Sequence, residues 1–341
     1  ESGADTVTLS AAVNGIRVEL GAGTDTLVLA NGTNALTALG TETVVGGTGN
    51  DSVTLGEAMT AGNYSLGAGV DTLVLASGTN SLTLDASIET LVAGTGDDTI
   101  TLSAAVSGAN YNLGVGDDTL VLANGTNNLT VNNIETVTGH SGADTVTLAS
   151  SLSGGVINLG AGTDRLALAS GANNLTVSGT ETLTGNAGTD TITLGTSISG
   201  ARIDLAGGAD TLVLADGGNN VTVLAIETVV GGSGADVVSL GAVVTSGNFS
   251  LGDGSDTLAL FNGTNKLTLD DSIETVIGNG GADSITLSAA VSGHVYNLGL
   301  GADNLVLANG ANDLTVSDAS TITGNSGADN VTLGTAAAGL I

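Results

Sequence analysis

The chain has no cysteine, no proline and no tryptophan, and only 3 Tyr and 2 Phe among 341 residues. Without cysteine no disulfide holds the fold; that suits an exported protein that uses none, and by itself excludes no compartment. A globular core of this size normally draws on aromatic side chains for bulk. Here the apolar content is Val, Leu, Ile and Ala, which suits a narrow core of stacked small and branched side chains. Basic residues are scarce too: 4 Lys and Arg against 34 Asp and Glu, a net charge of −30. Such a charge repels nucleic acid and anionic membrane surfaces. No run of 18 apolar residues is present, so no segment is expected to span a bilayer. Neither a start methionine nor a signal-peptide pattern stands at Glu1.

What is abundant is glycine, 55 residues, together with 41% hydrophobic residues placed with period two. That placement argues against disorder, and turn dipeptides every ten residues or so argue against helix. The unit is Gly46-Gly47-Thr48-Gly49-Asn50-Asp51-Ser52-Val53-Thr54-Leu55: a glycine turn able to take positive φ, an aspartate, then a short strand. Its aspartate recurs as Asp5, Asp51, Asp98, Asp144, Asp190, Asp236, Asp283 and Asp329, at steps of 46 or 47 residues. A second copy lies 20 residues after each of the first seven, giving Asp25, Asp71, Asp118, Asp164, Asp210, Asp256 and Asp303. If the copies stack, the aspartates and turn carbonyls make oxygen sites for a hard cation.

Within one repeat the expected strands are Asp51–Leu55, Asn63–Leu66, Thr72–Leu75, Ser81–Leu84 and Ile88–Val92. Strands this short are stable only when each lies over its counterpart in the next turn. The expected fold is therefore all-β: a parallel β-solenoid of seven-plus repeats of 46–47 residues, each about two coils, running as one array over residues 1–341. The aspartate corners are expected to share one edge; two motif types on opposite edges is the other packing considered. The chain opens inside a motif (Ser2-Gly3-Ala4-Asp5) and ends shortly after another. With no distinct cap at either end, a piece of something longer is expected, or a subunit whose ends meet neighbours.

Three further columns recur. Asn34, Asn80, Asn127, Asn173, Asn219, Asn265 and Asn312 read as turn formers that bond their own backbone. Glu42, Glu89, Glu135, Glu181, Glu227 and Glu274, with Ser320 in the seventh place, read as outward-facing strand residues. Tyr64, Tyr111, Phe249 and Tyr296 share a position with Val18, Ile157 and Ile203, which marks a packing slot. The sequons at Asn31, Asn124 and Asn262 are Asn-Gly turn dipeptides first.

Gly46–Thr54 resembles the nonapeptide of the RTX, or hemolysin-type, calcium-binding repeat family, and Gly231–Ser239 does so equally. The resemblance implies a parallel β-roll with Ca²⁺ between stacked turns, held by all fifteen motif aspartates and the carbonyls of their glycine turns. It also implies a bacterial, secreted protein that folds on meeting external calcium. The chain departs from the family in spacing, with 20 or more residues between copies instead of nine. It departs in glycines too: Leu20, Leu66 and Leu251 replace the first, and Asn186 and Asn279 the second. The long spacing with Ile-Glu-Thr-Val segments is also similar to the repetitive regions of bacterial S-layer and giant surface proteins.

The function expected is structural: a calcium-stabilised extracellular solenoid of the bacterial cell surface, serving as surface layer, matrix, filament or adhesin stalk. Its partners would be copies of itself or the rest of a longer chain, with cell-surface polysaccharide as a further class. Ice binding through Thr-x-Thr strands such as Thr99-Ile100-Thr101 is an alternative, but alternate coils read Thr26-Leu27-Val28 and interrupt the threonine file. A non-catalytic repeat region attached to a secreted enzyme or toxin is another. Catalysis by this chain is not expected, since Arg17, Arg165, Arg202, Lys266, His140 and His294 are scattered and form no constellation.

Overall fold

The computed structural model describes residues 3–334; Ser2, which begins the opening motif, lies outside them. Among the described residues there are 36 strands and no helix. Contacts divide the chain into two units, one running to Ala169 together with Ser178–Thr180, the other made of Ser170–Val177 and the chain from Glu181 on. Both are parallel β-solenoids of the same construction.

In the first unit the strands begin β1 (Thr6–Thr8), β2 (Asn14–Glu19), β3 (Thr26–Val28), β4 (Ala35–Leu39), β5 (Thr43–Thr48), β6 (Ser52–Leu55), β7 (Asn63–Ala68), β8 (Thr72–Val74), β9 (Ser81–Leu84) and β10 (Thr90–Val92). Each pairs, in parallel, with the strand two places on. β1, β3, β5, β7 and β9 form one ladder and the even-numbered strands another. One coil is therefore two strands, one in each sheet, with 17 to 21 residues from a residue to its partner.

The five strands anticipated for one repeat are all present as β6–β10. Their number sets the architecture: five strands on a two-strand coil make two and a half coils per repeat, not two. Each repeat therefore begins in the sheet opposite to its predecessor. β1, after Asp5, lies in one sheet, and β6, after Asp51, lies in the other. The two motif copies of one repeat stay together, since β1 pairs with β3 and β6 with β8. Aspartate corners thus form two files, where one shared edge had been expected.

Alternate residues point inward. Leu27, Val44 and Tyr64 stack between the sheets on the odd side, and Leu36, Val53, Leu73 and Leu91 on the even side, all buried. The outward residues are mostly small and polar, as in the register Thr6, Thr26, Thr43, Asn63. This is the alternation that a strand of period two imposes on a thin core. The longest coils absorb an extra residue as a bulge at a glycine: Gly15 and Gly108 take φ of 73° and 75° between Asn14 and Ile16 and between Ser107 and Ala109.

The glycine turns are needed for close approach. A Cβ on Gly49, whose φ is +108°, would lie 2.6 Å from the carbonyl carbon of Gly32 on the neighbouring coil. One on Gly46 would lie 1.9 Å from the carbonyl oxygen of Leu66. Main chain meets main chain at these corners: Gly32 N–H donates to Thr48 O at 2.5 Å, and Gly49 N–H to Ala68 O at 2.7 Å.

Candidate metal centre

The residue just before a strand points into the corner, and in the structure four of the recurring columns merge there. In the file that leads into the even strands, Asn34 N–H donates to Oδ1 of Asp51 (2.8 Å), Asp51 N–H to Oδ1 of Asp71 (2.6 Å) and Asp71 N–H to Oε2 of Glu89 (2.8 Å). The next repeat builds the same run on the opposite edge: Asn80, Asp98, Asp118 and Glu135, joined at 2.7, 2.7 and 2.9 Å. In the second unit the runs Asn173-Asp190-Asp210-Glu227 and Asn219-Asp236-Asp256-Glu274 repeat it. Each run is Asn, Asp, Asp, Glu on successive coils.

The asparagine starts the run as the turn reading anticipated, and does more. Nδ2 of Asn34 donates to Ala30 O and Gly32 O within its own turn and also to Oδ1 of Asp51 across to the next coil. Its Oδ1 accepts from Val13 N–H at 3.2 Å. The glutamate ends the run. Its carboxylate takes a main-chain N–H at the corner rather than standing on the outer strand face as expected, because the following strand begins one residue later. Ser320 replaces it at the last such position, donating through its hydroxyl to Gly301 O at 3.3 Å.

Of the fifteen sequence-identified aspartates, Asp5 is half-buried and Asp329 exposed; the other thirteen are buried. The structure places them pairwise in consecutive coils, Asp5 with Asp25, Asp51 with Asp71, Asp98 with Asp118 and so on. One carboxylate oxygen is committed to the main chain. The other, Oδ2 of Asp25, Asp51, Asp71, Asp98, Asp118 and Asp144 in the first unit and of Asp190, Asp210, Asp236, Asp256, Asp283 and Asp303 in the second, is enclosed and meets no hydrogen-bond donor. An enclosed carboxylate oxygen without a partner is costly unless a proton or a cation joins it.

The ion pairs Arg17–Glu19 (3.0 Å) and Arg202–Asp204 (3.2 Å) stand on outer strand faces, away from the files. Asp118 and Asp256 are accordingly pushed up to about 6. Burial is the main cause in both, and neighbouring carboxylates add to it: Asp98, Glu135 and Asp97 for the first, Asp236, Glu274 and Asp253 for the second. The N–H of the preceding aspartate pulls the other way but does not cancel it. Asp71, Asp98, Asp210 and Asp303 are raised as well, again chiefly by burial.

Nowhere among the described residues do three or more Asp, Glu or His side chains converge tightly enough to hold a metal ion alone. An ion here has to complete its shell with main-chain carbonyls of the turns. Those are at hand, and the whole donor set is oxygen, which suits Ca²⁺. The residues present therefore fit a hard cation through the orphaned Oδ2 atoms.

No curated protein matches the chain, and no solved structure does. The profile of the RTX calcium-binding nonapeptide repeat (4 copies) matches residues 37–57, 84–104 and 176–196. These windows hold the aspartates Asp51, Asp98 and Asp190 with their turns; the glycine pair is complete at Gly46-Gly47, while Ala93 and Asn186 each replace one of its members in the other two. In those windows the chain is similar to RTX calcium-binding repeats, here set within a β-solenoid whose coils are longer than the nonapeptide.

Proposed function

We propose that this chain is a calcium-stabilised structural solenoid of a bacterial extracellular surface, acting as layer, matrix, filament or stalk material and not as a catalyst. The observation that carries it is the orphaned Oδ2 of both aspartates in the four Asn–Asp–Asp–Glu runs described above, beside RTX-like turns. A polymer of one motif with −30 charge has little to offer a substrate but much to gain from bound cations. Among the described residues no helix is long and apolar enough to cross a membrane. His140 is exposed on a corner of the first unit, and in the second unit His294 is buried against carbonyls.

The test is circular dichroism and thermal melting in EGTA, followed by calcium titration with ion counting. Several ions per chain and a melting point that rises with calcium are expected. Equal stability in chelator and in calcium, with no retained ion, would overturn the calcium role. Electron microscopy of the calcium-loaded chain, alone and on bacterial surfaces, tests the assembly role separately.

A further inference from the structure

The first unit keeps its acidic charge off its strands. Apart from Glu19, every described Asp and Glu in it lies at a corner, outside the strands. The two sheets differ in what remains. The odd-numbered ladder, β1 to β9, continues through Thr99–Leu102, Thr119–Val121, Thr136–Thr138 and Ser153–Asn158, and none of these nine strands holds a charged residue. The even-numbered ladder carries Arg17, Glu19 and Arg165, all exposed.

The outer surface of the odd ladder is a lattice of small side chains. One row runs Thr43, Asn63, Thr83, Thr101, Val121 and Thr138 in unbroken parallel register. In the row beside it Val45 is 41% exposed and adjoins an open hollow of about 280 Å³, lined by Asn63, Ser65, Thr83 and, at the corner, Asp85. A knob and a hollow on one face suit a two-fold pair, since each copy's knob then meets the other's hollow. Rows repeating every 4.8 Å or so also let two such faces interleave as stacked sheets do. Charge points the same way. A chain of −30 repels its own copies wherever acidic corners meet, and an uncharged face is where they can touch. Nine strands about 4.8 Å apart and roughly 10 to 16 Å wide give a contact of about 900–1,400 Å² over both copies, the lower edge of a specific interface.

We propose that the odd face of the first unit is a self-association surface, on which a second copy of this chain packs face to face with Val45 in the other copy's hollow. The contact gives the assembly role proposed above its surface and rests on that reading. Cations on the corner files lower the repulsion between copies, so calcium should tighten the association.

Val92 supplies a matched control, being 38% exposed and outward on the even ladder. The measurement is sedimentation velocity of the full chain in calcium, from low micromolar to submillimolar concentration. The wild type is expected to self-associate, Val45→Glu to weaken the association about tenfold or more, and Val92→Glu to leave it unchanged. Thr83→Glu, beside the same hollow, replaces Val45→Glu should that variant fail to fold. A chain that retains calcium yet stays monomeric throughout overturns the proposal and leaves the calcium role standing. Equal weakening by the Val45 and Val92 variants overturns it too. So would a monomer that binds a neutral polysaccharide such as dextran and loses it in Val45→Glu, which would assign the face to a glycan. Association through Val45 in a chain that retains no calcium would remove the calcium role and keep this surface.

Discussion

The main-chain N–H of Asp51 donates to Oδ1 of Asp71 at 2.6 Å, across one coil and 20 residues of sequence. The motif aspartate is therefore a rung between coils before it is anything else, and its two oxygens have separate tasks. Asp71→Ala removes the acceptor and leaves a buried N–H unpaired, at a cost of about 1–3 kcal/mol with or without calcium. Asp71→Asn keeps an acceptor and removes a charge from beside Asp51 and Glu89. In EGTA that variant should match or exceed the wild type in chemical denaturation, and in saturating calcium it should fall behind. An asparagine variant that loses equally in both buffers would argue against the division of labour.

The pH dependence has a definite sign. Asp118 and Asp256 are held at about 6 when folded, against a model-peptide value of 3.8. A raised carboxylate favours the folded state when protonated, and that contribution is complete below the unfolded value and lost as pH rises through the folded one. Without calcium, the melting point should fall between about pH 4 and pH 7. With calcium the trend should flatten or reverse, because the ion needs the ionised oxygen. Melting curves across that range in chelator and in calcium check both halves.

The packing slot offers a gain as well as a loss. The hydroxyls of Tyr64, Tyr111 and Tyr296 donate to Thr41 O, Ile88 O and Ile273 O, each 23 residues back. Phe249 sits in the same slot with no hydroxyl for Ile226 O. Phe249→Tyr should stabilise the second unit by about 0.5–1.5 kcal/mol, and Tyr111→Phe should cost about as much, read from denaturation midpoints.

Two glycine substitutions should differ sharply. Gly49→Ala forces a Cβ to within 2.6 Å of Gly32 main chain at φ +108°, so local unfolding of that corner is expected. Gly207→Ala meets nothing within 4 Å and should be neutral, or stabilising by a few tenths of a kcal/mol through the unfolded chain. Limited proteolysis and melting of the two variants side by side distinguish them.

Much of this was legible in the residues. Ser81–Leu84 was bounded to the residue, because period-two alternation ends at an Asn turn and at Asp85. The slot shared by Tyr64 and Ile157 was recognisable as packing from aliphatic exchange alone. Coil phase was less visible. Five strands per repeat could be counted, but counting strands does not say how many make a coil, since that depends on whether the section has two sides or three. The glutamate column was misplaced for the same reason. Glu89 lies 18 residues after Asp71, and Asp51 lies 17 after Asn34, both close to one coil; those intervals held the signal that four columns are one file.

The odd strand count per repeat gives the array a parity. Inserting or deleting one repeat of 46 residues would turn every later corner to the opposite side, whereas a change of two repeats would restore the original facing. Recombination between neighbouring repeats is thus not neutral toward whatever the outer surfaces touch. A ruler engineered from this solenoid would have to be lengthened in pairs.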